Sequence, residues 1–241
     1  MKITQLKQDD FKLWPYFIDF FIKSQPYDLT KLRSPHLKRE KIRRTFEFYM
    51  KNCITYMAEN DSKIAAAVFL DPSKSYFDVS FLFGIRENFS SSTLITALHD
   101  IFDKAITTYN KNYIKSEIRR KYKVETYKKW IERYDKTAII FNDPPNTVVW
   151  CKSNRMNAKF KVVGTNNTTE HLIEKKASLG KVYPDKNNPP SRLRELIFED
   201  GIYILDEKKV DFLADRVLIH GFLSDNQNNV GRVALEFIPQ K

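Results

Sequence analysis

Cysteine is scarce in this chain: Cys53 and Cys151 are the only two among 241 residues, which excludes a disulfide framework. Histidine is equally thin, with His36, His99, His171 and His220 far apart. No CxxC, HxH or HExxH spacing occurs, so the sequence points to no structural or catalytic metal. Each cysteine adjoins an apolar, strand-like run and reads as a small buried hydrophobe. Long apolar stretches are missing as well. The longest, Ile64 to Leu70, falls far short of the roughly 20 residues that cross a bilayer. The opening MKITQLKQDD lacks the apolar core of a secretion signal. A soluble, cytoplasmic protein with no membrane partner is the expectation.

Hydrophobic residues at 42% and aromatics at 14% instead describe a folded globular chain, long enough for one large domain or two small ones. The formal net charge is +11, an excess that attracts polyanions: nucleic acid, an acidic surface or a phosphorylated cofactor. The densest clusters are HLKREKIRR at 36–44 and KSEIRRKYKVETYKK at 115–129. Both interleave cations with acids and apolar residues, as solvated element faces do. The chain is also rich in Lys, Asn and Ile, a bias that raises the isoelectric point without any selected partner. Nucleic acid is therefore the second choice of partner.

Periodicity gives an element order. Met1 to Gln8 alternates loosely as a first strand, and Asp9 or Asp10 can cap a helix beginning near Pro15. Ser34–Pro35 opens a second helix to about Lys51, with an apolar stripe of Leu37, Ile42, Phe46 and Tyr49 or Met50. Strands follow at 53–59 and 63–70 around the turn Asn60-Asp61-Ser62. A third strand covers 75–85, then a helix 92–109, a strand 113–119, a helix 124–135, and strands 137–141 and 147–151. After residue 153 the texture changes. Short strands at 159–163 and 201–205 are expected beside helices ending at Gly180 and covering 191–199 and 208–215, with a closing hairpin at 217–222 and 230–238. The expected division is 1–155 and a small α+β domain at 156–241.

Within this order one junction stands out. The strand ending Phe83-Gly84-Ile85 runs through Arg86-Glu87-Asn88 into Phe89-Ser90-Ser91-Ser92-Thr93-Leu94, a hydroxyl-rich helix start. Such junctions hold phosphates in α/β proteins, because a helix start offers unpaired backbone N–H groups and a positive dipole end. An ordinary N-cap cluster is the competing reading. Together with Val124-Glu125-Thr126-Tyr127 downstream, the segment resembles the GNAT superfamily of N-acetyltransferases, over about residues 1–153.

That resemblance implies a mixed, mostly antiparallel sheet flanked by helices, with acetyl-CoA as cosubstrate and a primary amine as acceptor. It places Phe83, Gly84, Ile85, Phe89, Ser90, Ser91, Ser92, Thr93 and Leu94 at the cofactor. It also makes Asp78 the general base, Glu117 its alternative and Tyr127 the general acid. The pattern departs from the family at Ser90, where Arg or Gln is usual, and at Thr93 and Ile95, where small residues let the backbone approach a pyrophosphate. Plainer roles compete: Asp78 on a solvated strand face, Glu117 paired with Arg119 or Arg120, and Tyr127 on an apolar helix stripe. Arg119-Arg120-Lys121 could hold the 3′-phosphate end of coenzyme A, and Ser191–Arg194 reads as a helix start with exposed cations. A catalytically inactive relative that binds an anionic partner such as nucleic acid is the alternative function. The second domain would shape the acceptor site or mediate homodimerisation.

Overall fold

The computed structural model describes residues 1–24, 31–32, 34–85, 87, 89–117, 138–141, 147–150, 159–184, 192–226 and 229–239. These form two compact units, Met1–Ala105 and Ile106–Lys241.

The first unit is built on four antiparallel strands, β1 (Lys2–Gln5), β2 (Ile54–Asn60), β3 (Lys63–Asp71) and β4 (Phe77–Gly84), hydrogen-bonded in that order. The β2–β3 hairpin closes through Asp61 and Ser62, whose φ angles of 50° and 63° are the paired left-handed residues that a two-residue turn needs. Helix α1 (Trp14–Ser24) takes Pro15 in its first turn, where a missing N–H costs nothing. Helix α2 (Pro35–Asn52) starts at Ser34, whose hydroxyl accepts from Leu37 N at 3.5 Å.

Ile42, Phe46 and Met50 are the buried stripe of α2. Leu37, expected on that stripe, is instead 53% exposed in the first turn. Against α2 and α1 pack Met57, Ala67, Phe69 and Phe83 of the sheet. Rings dominate this layer: Phe17 lies 5.1 Å from Phe46 and 5.0 Å from Phe81, and Phe46 lies 5.5 Å from Trp14. Strand β3 is buried from Ile64 to Leu70, so Ala66, Val68 and Leu70, which alternate with Ala67 and Phe69, are covered too. Both faces of the sheet therefore carry packing. A third helix, α3 (Ser91–Tyr109), brings a buried stripe of Leu94, Ala97, Ile101 and Ala105, and its Lys104 ammonium donates to Ile3 O at 2.8 Å. The expected mixed, mostly antiparallel sheet flanked by helices is what the chain forms.

The second unit contains β5 (Ile114–Glu117), β6 (Ala138–Phe141) and β7 (Thr147–Trp150), with β7 pairing antiparallel to both others. Six further strands close into an antiparallel barrel: β8 (Lys159–Thr165), β9 (Lys176–Pro184), β10 (Arg192–Phe198), β11 (Gly201–Phe212), β12 (Val217–Ser224) and β13 (Val230–Phe237). Phe160, Leu196, Leu205, Ile219, Leu235 and Phe237 fill its interior. The expected α+β character of this region is corrected by these strands. Its one described helical element is a short 3-10 turn, Asn167–Leu172, after which Glu174 reverses the chain at φ 63°.

The misreadings have physical causes. Arg194 is buried on β10 at the same alternation as Leu196, and a charged residue there breaks the apolar pattern that would have announced a strand. In β11 a bulge between Glu207 and Lys209 shifts the pattern by one residue, so 208–215 mimics a helical turn. Arg194 and Glu207 are a buried pair: Nε and Nη2 each meet Oε1 at 2.6 Å, with side chains 4% and 1% exposed. Nη2 also donates to Ile140 O at 2.5 Å, and the guanidinium lies 5.4 Å from the Phe141 ring centre. The arginine expected as an exposed helix-start cation is thus an internal tie between the barrel and β6.

Removing one partner of such a pair strands a buried charge. Glu207→Leu is expected to cost about 3–5 kcal/mol in urea denaturation, whereas Arg194→Met with Glu207→Leu recovers most of that loss.

Candidate functional site

The junction singled out in the sequence forms in the first unit. Strand β4 continues its ladder one residue past Gly84, since Ile85 N donates to Ala65 O at 2.9 Å. The chain then turns and enters α3. Ser90 caps the helix: its carbonyl accepts from Leu94 N at 3.0 Å and its hydroxyl accepts from Thr93 N at 3.2 Å. The same hydroxyl shares hydrogen bonds with Ser92 Oγ at 2.8 Å and Thr93 Oγ1 at 2.9 Å. Thr96 Oγ1 donates to Ser92 O at 3.1 Å one turn later. Three hydroxyls are thereby gathered at a helix start, where the dipole favours an anion.

Apolar contacts set how closely strand and helix meet. A Cβ at Gly84 would sit 3.3 Å from Leu94 Cδ1, so a bare backbone there lets α3 approach the strand end. Leu94 and Ile95 are 4% and 5% exposed. The β-branched side chain at 95, which departs from the small residue the resemblance calls for, is therefore turned into the interior. Ser90 and Ser92 are exposed, and Phe89, Ser91 and Thr93 are half-buried. Phe83 is buried in the aromatic layer, and Ile85 packs against it. On the turn, Glu87 meets Lys23 of α1 at 2.9 Å, and Lys23 also meets Asp19 at 2.8 Å. These two carboxylates, Asp19 foremost, raise the lysine above its ordinary value.

Asp78 lies at the start of β4, directly opposite Asp71 of β3. Its carboxylate accepts from the Lys74 ammonium at 2.6 Å with the aspartate side chain 25% exposed, and this bond raises the lysine above its ordinary value. Asp71 in turn accepts from Ser73 N at 2.8 Å, which shapes the turn carrying Lys74. A proton acceptor at Asp78 would have to work beside that ammonium. Glu117 belongs to the second unit, at the exposed end of β5, 3.6 Å from Lys115. Tyr127 and Arg119-Arg120-Lys121 lie outside the described residues. Asp78 and the β4–α3 junction are thus the expected site residues that share the first unit.

Cys53, expected as a buried hydrophobe, is half-buried with Sγ 3.5 Å from Ser80 Oγ, and burial pushes its thiol up. No group of three or more metal-ligating side chains occurs among the described residues. A cavity of about 600 Å³ opens beside β1, lined by Gln5 to Asp9, Met50, Cys53 and Ile54, and it includes none of the expected site residues. No described helix is long and apolar enough to cross a membrane.

The caps make the local stability of this junction measurable. Ser90→Ala should cost about 1 kcal/mol in thermal or chemical melts, while Ser90→Gly should cost only a few tenths.

No known family profile matches the sequence, and no curated protein does. Solved structures similar in fold include PaiA N-acetyltransferase of Thermoplasma acidophilum in complex with coenzyme A. It is 13% identical, with 61% of this chain and 96% of that one covered at a TM-score of 0.42. N-acetyltransferase PseH of Campylobacter jejuni in complex with acetyl coenzyme A is 11% identical, over 63% of this chain and 100% of its own, at 0.44. A point mutant of spermidine N-acetyltransferase SpeG from Vibrio cholerae is 12% identical over 62% and 92%, at 0.39.

Proposed function

We propose that the chain is an acetyl-CoA-dependent N-acetyltransferase acting on a primary amine. The observation that carries the reading is the β4–α3 junction: a strand end without a side chain at Gly84, running into a helix start with hydroxyls at its rim. Coenzyme A presents a pyrophosphate. Backbone N–H groups of the first turn of α3 would receive it, with the Ser92 and Thr93 hydroxyls as further donors. Ile95 is buried, so its side chain would not stand in the ligand's way.

When bound, the cosubstrate supplies an acyl thioester for direct transfer to the amine. The chain's own part is to orient the thioester and to accept a proton from the acceptor ammonium. Asp78 is the acceptor favoured here, as a carboxylate on the strand that leads to the junction, with Lys74 held beside it. Glu117 is its alternative and Tyr127 the donor to the departing thiolate, in the roles the resemblance implies. A cytoplasmic location belongs to the same proposal.

A non-catalytic reading rests on the same cap. Ser90 satisfies the helix start with its own hydroxyl, and the Ser92 and Thr93 hydroxyls close onto it. Such a junction can be a purely structural helix start. Ligand binding separates the two.

Acetyl-CoA at a hundred times its dissociation constant should stabilise the protein by about 2.7 kcal/mol, read as a rise in melting temperature. An unchanged melting curve at millimolar acetyl-CoA and coenzyme A overturns the reading. Where the ligand binds, Asp78→Asn should lower kcat by about 10²–10⁴ and leave the thermal shift intact. Full activity in that variant would move the base elsewhere.

A further inference from the structure

Strict alternation along β4 would put Asp78 and Phe81, three residues apart, on opposite faces of the sheet. The ladder places them on one. Phe69 and Asp71 are two apart on β3 and so share a face. Their partners are Phe81 and Asp78, and residues opposed across a ladder point the same way. A register shift between Phe69 and Leu70 supplies the extra β4 residue that makes this possible. Ser80, inside that irregularity, has its hydroxyl 3.5 Å from Sγ of Cys53, which packs on the core beneath α1 and α2.

Aromatic rings form the rest of this face. The Phe81 ring lies 5.1 Å from Phe20, 5.3 Å from Phe21 and 6.0 Å from Tyr49. Phe20 meets it edge-on at 81°, and Tyr49 stacks along it at 13°. Phe17, Phe69 and Phe83 behind them are buried, whereas Phe20, Phe21, Tyr49 and Phe81 are half-buried. Cores are commonly closed by long side chains with an apolar stem and a polar tip. Three of these four outer side chains have no polar atom, so ring surface is left to water. Beside this aromatic wall, Asp71 and Asp78 bring two carboxyl groups together, with the Lys74 ammonium 2.6 Å from Asp78.

We infer that the acceptor is a primary amine carried on an aromatic body, with its nitrogen at Asp78 and its ring against Phe81, Phe20, Phe21 and Tyr49. This rests on the acetyltransferase reading and deepens it by naming the substrate class. From Asp78 to Phe81 the strand covers about 10 Å at about 3.4 Å per residue, a span that an amine, a short alkyl arm and a ring can bridge. Rings packed edge-on or offset against the wall gain more than their buried area. A sugar amine or a polyamine would instead press polar groups against rings that offer them no hydrogen bond. In the transfer the ammonium gives one proton to Asp78, and its nitrogen bonds the acetyl carbon as the C–S bond breaks. The second proton of the amine replaces the one taken up by the departing sulfur.

The test uses the full chain with acetyl-CoA and compares phenethylamine, spermidine and glucosamine as acceptors by release of free thiol. The ratio kcat/KM should favour phenethylamine by about tenfold or more. Phe20→Leu with Phe81→Leu keeps apolar bulk but removes two rings. It should raise KM for phenethylamine about 5–10-fold with kcat little changed, as loss of uniform binding does. An unchanged thermal shift with acetyl-CoA would establish that this variant folds, and if it does not fold the acceptor comparison on the parent decides alone. A parent stabilised by acetyl-CoA that acetylates spermidine or glucosamine as well as phenethylamine overturns the inference and keeps the acetyltransferase. An unmoved KM in the folded variant overturns it in the same way. A parent that acetyl-CoA does not stabilise overturns the acetyltransferase reading itself, and the acceptor assignment falls with it.

Discussion

Burial of β3 on both faces is the constraint from which the first unit follows. Seven consecutive residues, Ile64 to Leu70, are withdrawn from water, so neither face of this strand can be left to solvent. Helices are the elements that can cover it without exposing backbone groups. Aromatic rings from α1 and α2 interlock over Phe69 and Phe81 on one side. With β3 central and β4 at its side, the end of β4 comes to the surface at Gly84, where the helix start and its hydroxyls stand. The candidate site is thus a consequence of how one apolar strand is hidden.

A different interaction organises the second unit. The Arg194–Glu207 pair sits at buried positions on adjacent barrel strands, and both strands are irregular there, β10 against β9 and β11 against β12. The arginine uses its remaining donor on the Ile140 carbonyl and places its guanidinium over Phe141. Strand β6 is therefore bound to the barrel by a hydrogen bond, a cation–ring contact and the Phe141–Phe212 packing at 6.0 Å. Breaking a buried pair of this kind by removing one partner is costly, whereas replacing both by apolar residues is often neutral.

The parts of the structure legible from residues alone were those governed by short-range rules. Ser34–Pro35 marked the start of α2, Asn60-Asp61-Ser62 marked the hairpin, and the hydroxyl run before Leu94 marked the start of α3. Each rests on a cap, a turn or a period that a few neighbouring residues satisfy among themselves. The barrel was misread where a distant partner overrode the local pattern. Leu193, Leu196 and Ile197 have helical spacing, but Arg194 finds Glu207 thirteen positions away and the segment extends into a strand. Lys208 and Lys209 flank a bulge that only pairing with β12 creates. At the site, the orientation of Ile95 was invisible, since its burial depends on where α3 lies and not on the residues beside it.

Composition, caps and alternation by themselves determined that this chain folds as strands and helices in the order observed through β4 and α3, and that a hydroxyl-rich helix start follows a strand. Local hydrogen bonding and the periods of 2 and 3.6 residues suffice for that. Tertiary structure alone decided which side chains at that start turn inward, and that the C-terminal strands close into a barrel. Those outcomes depend on contacts between residues far apart in sequence, which no local pattern encodes.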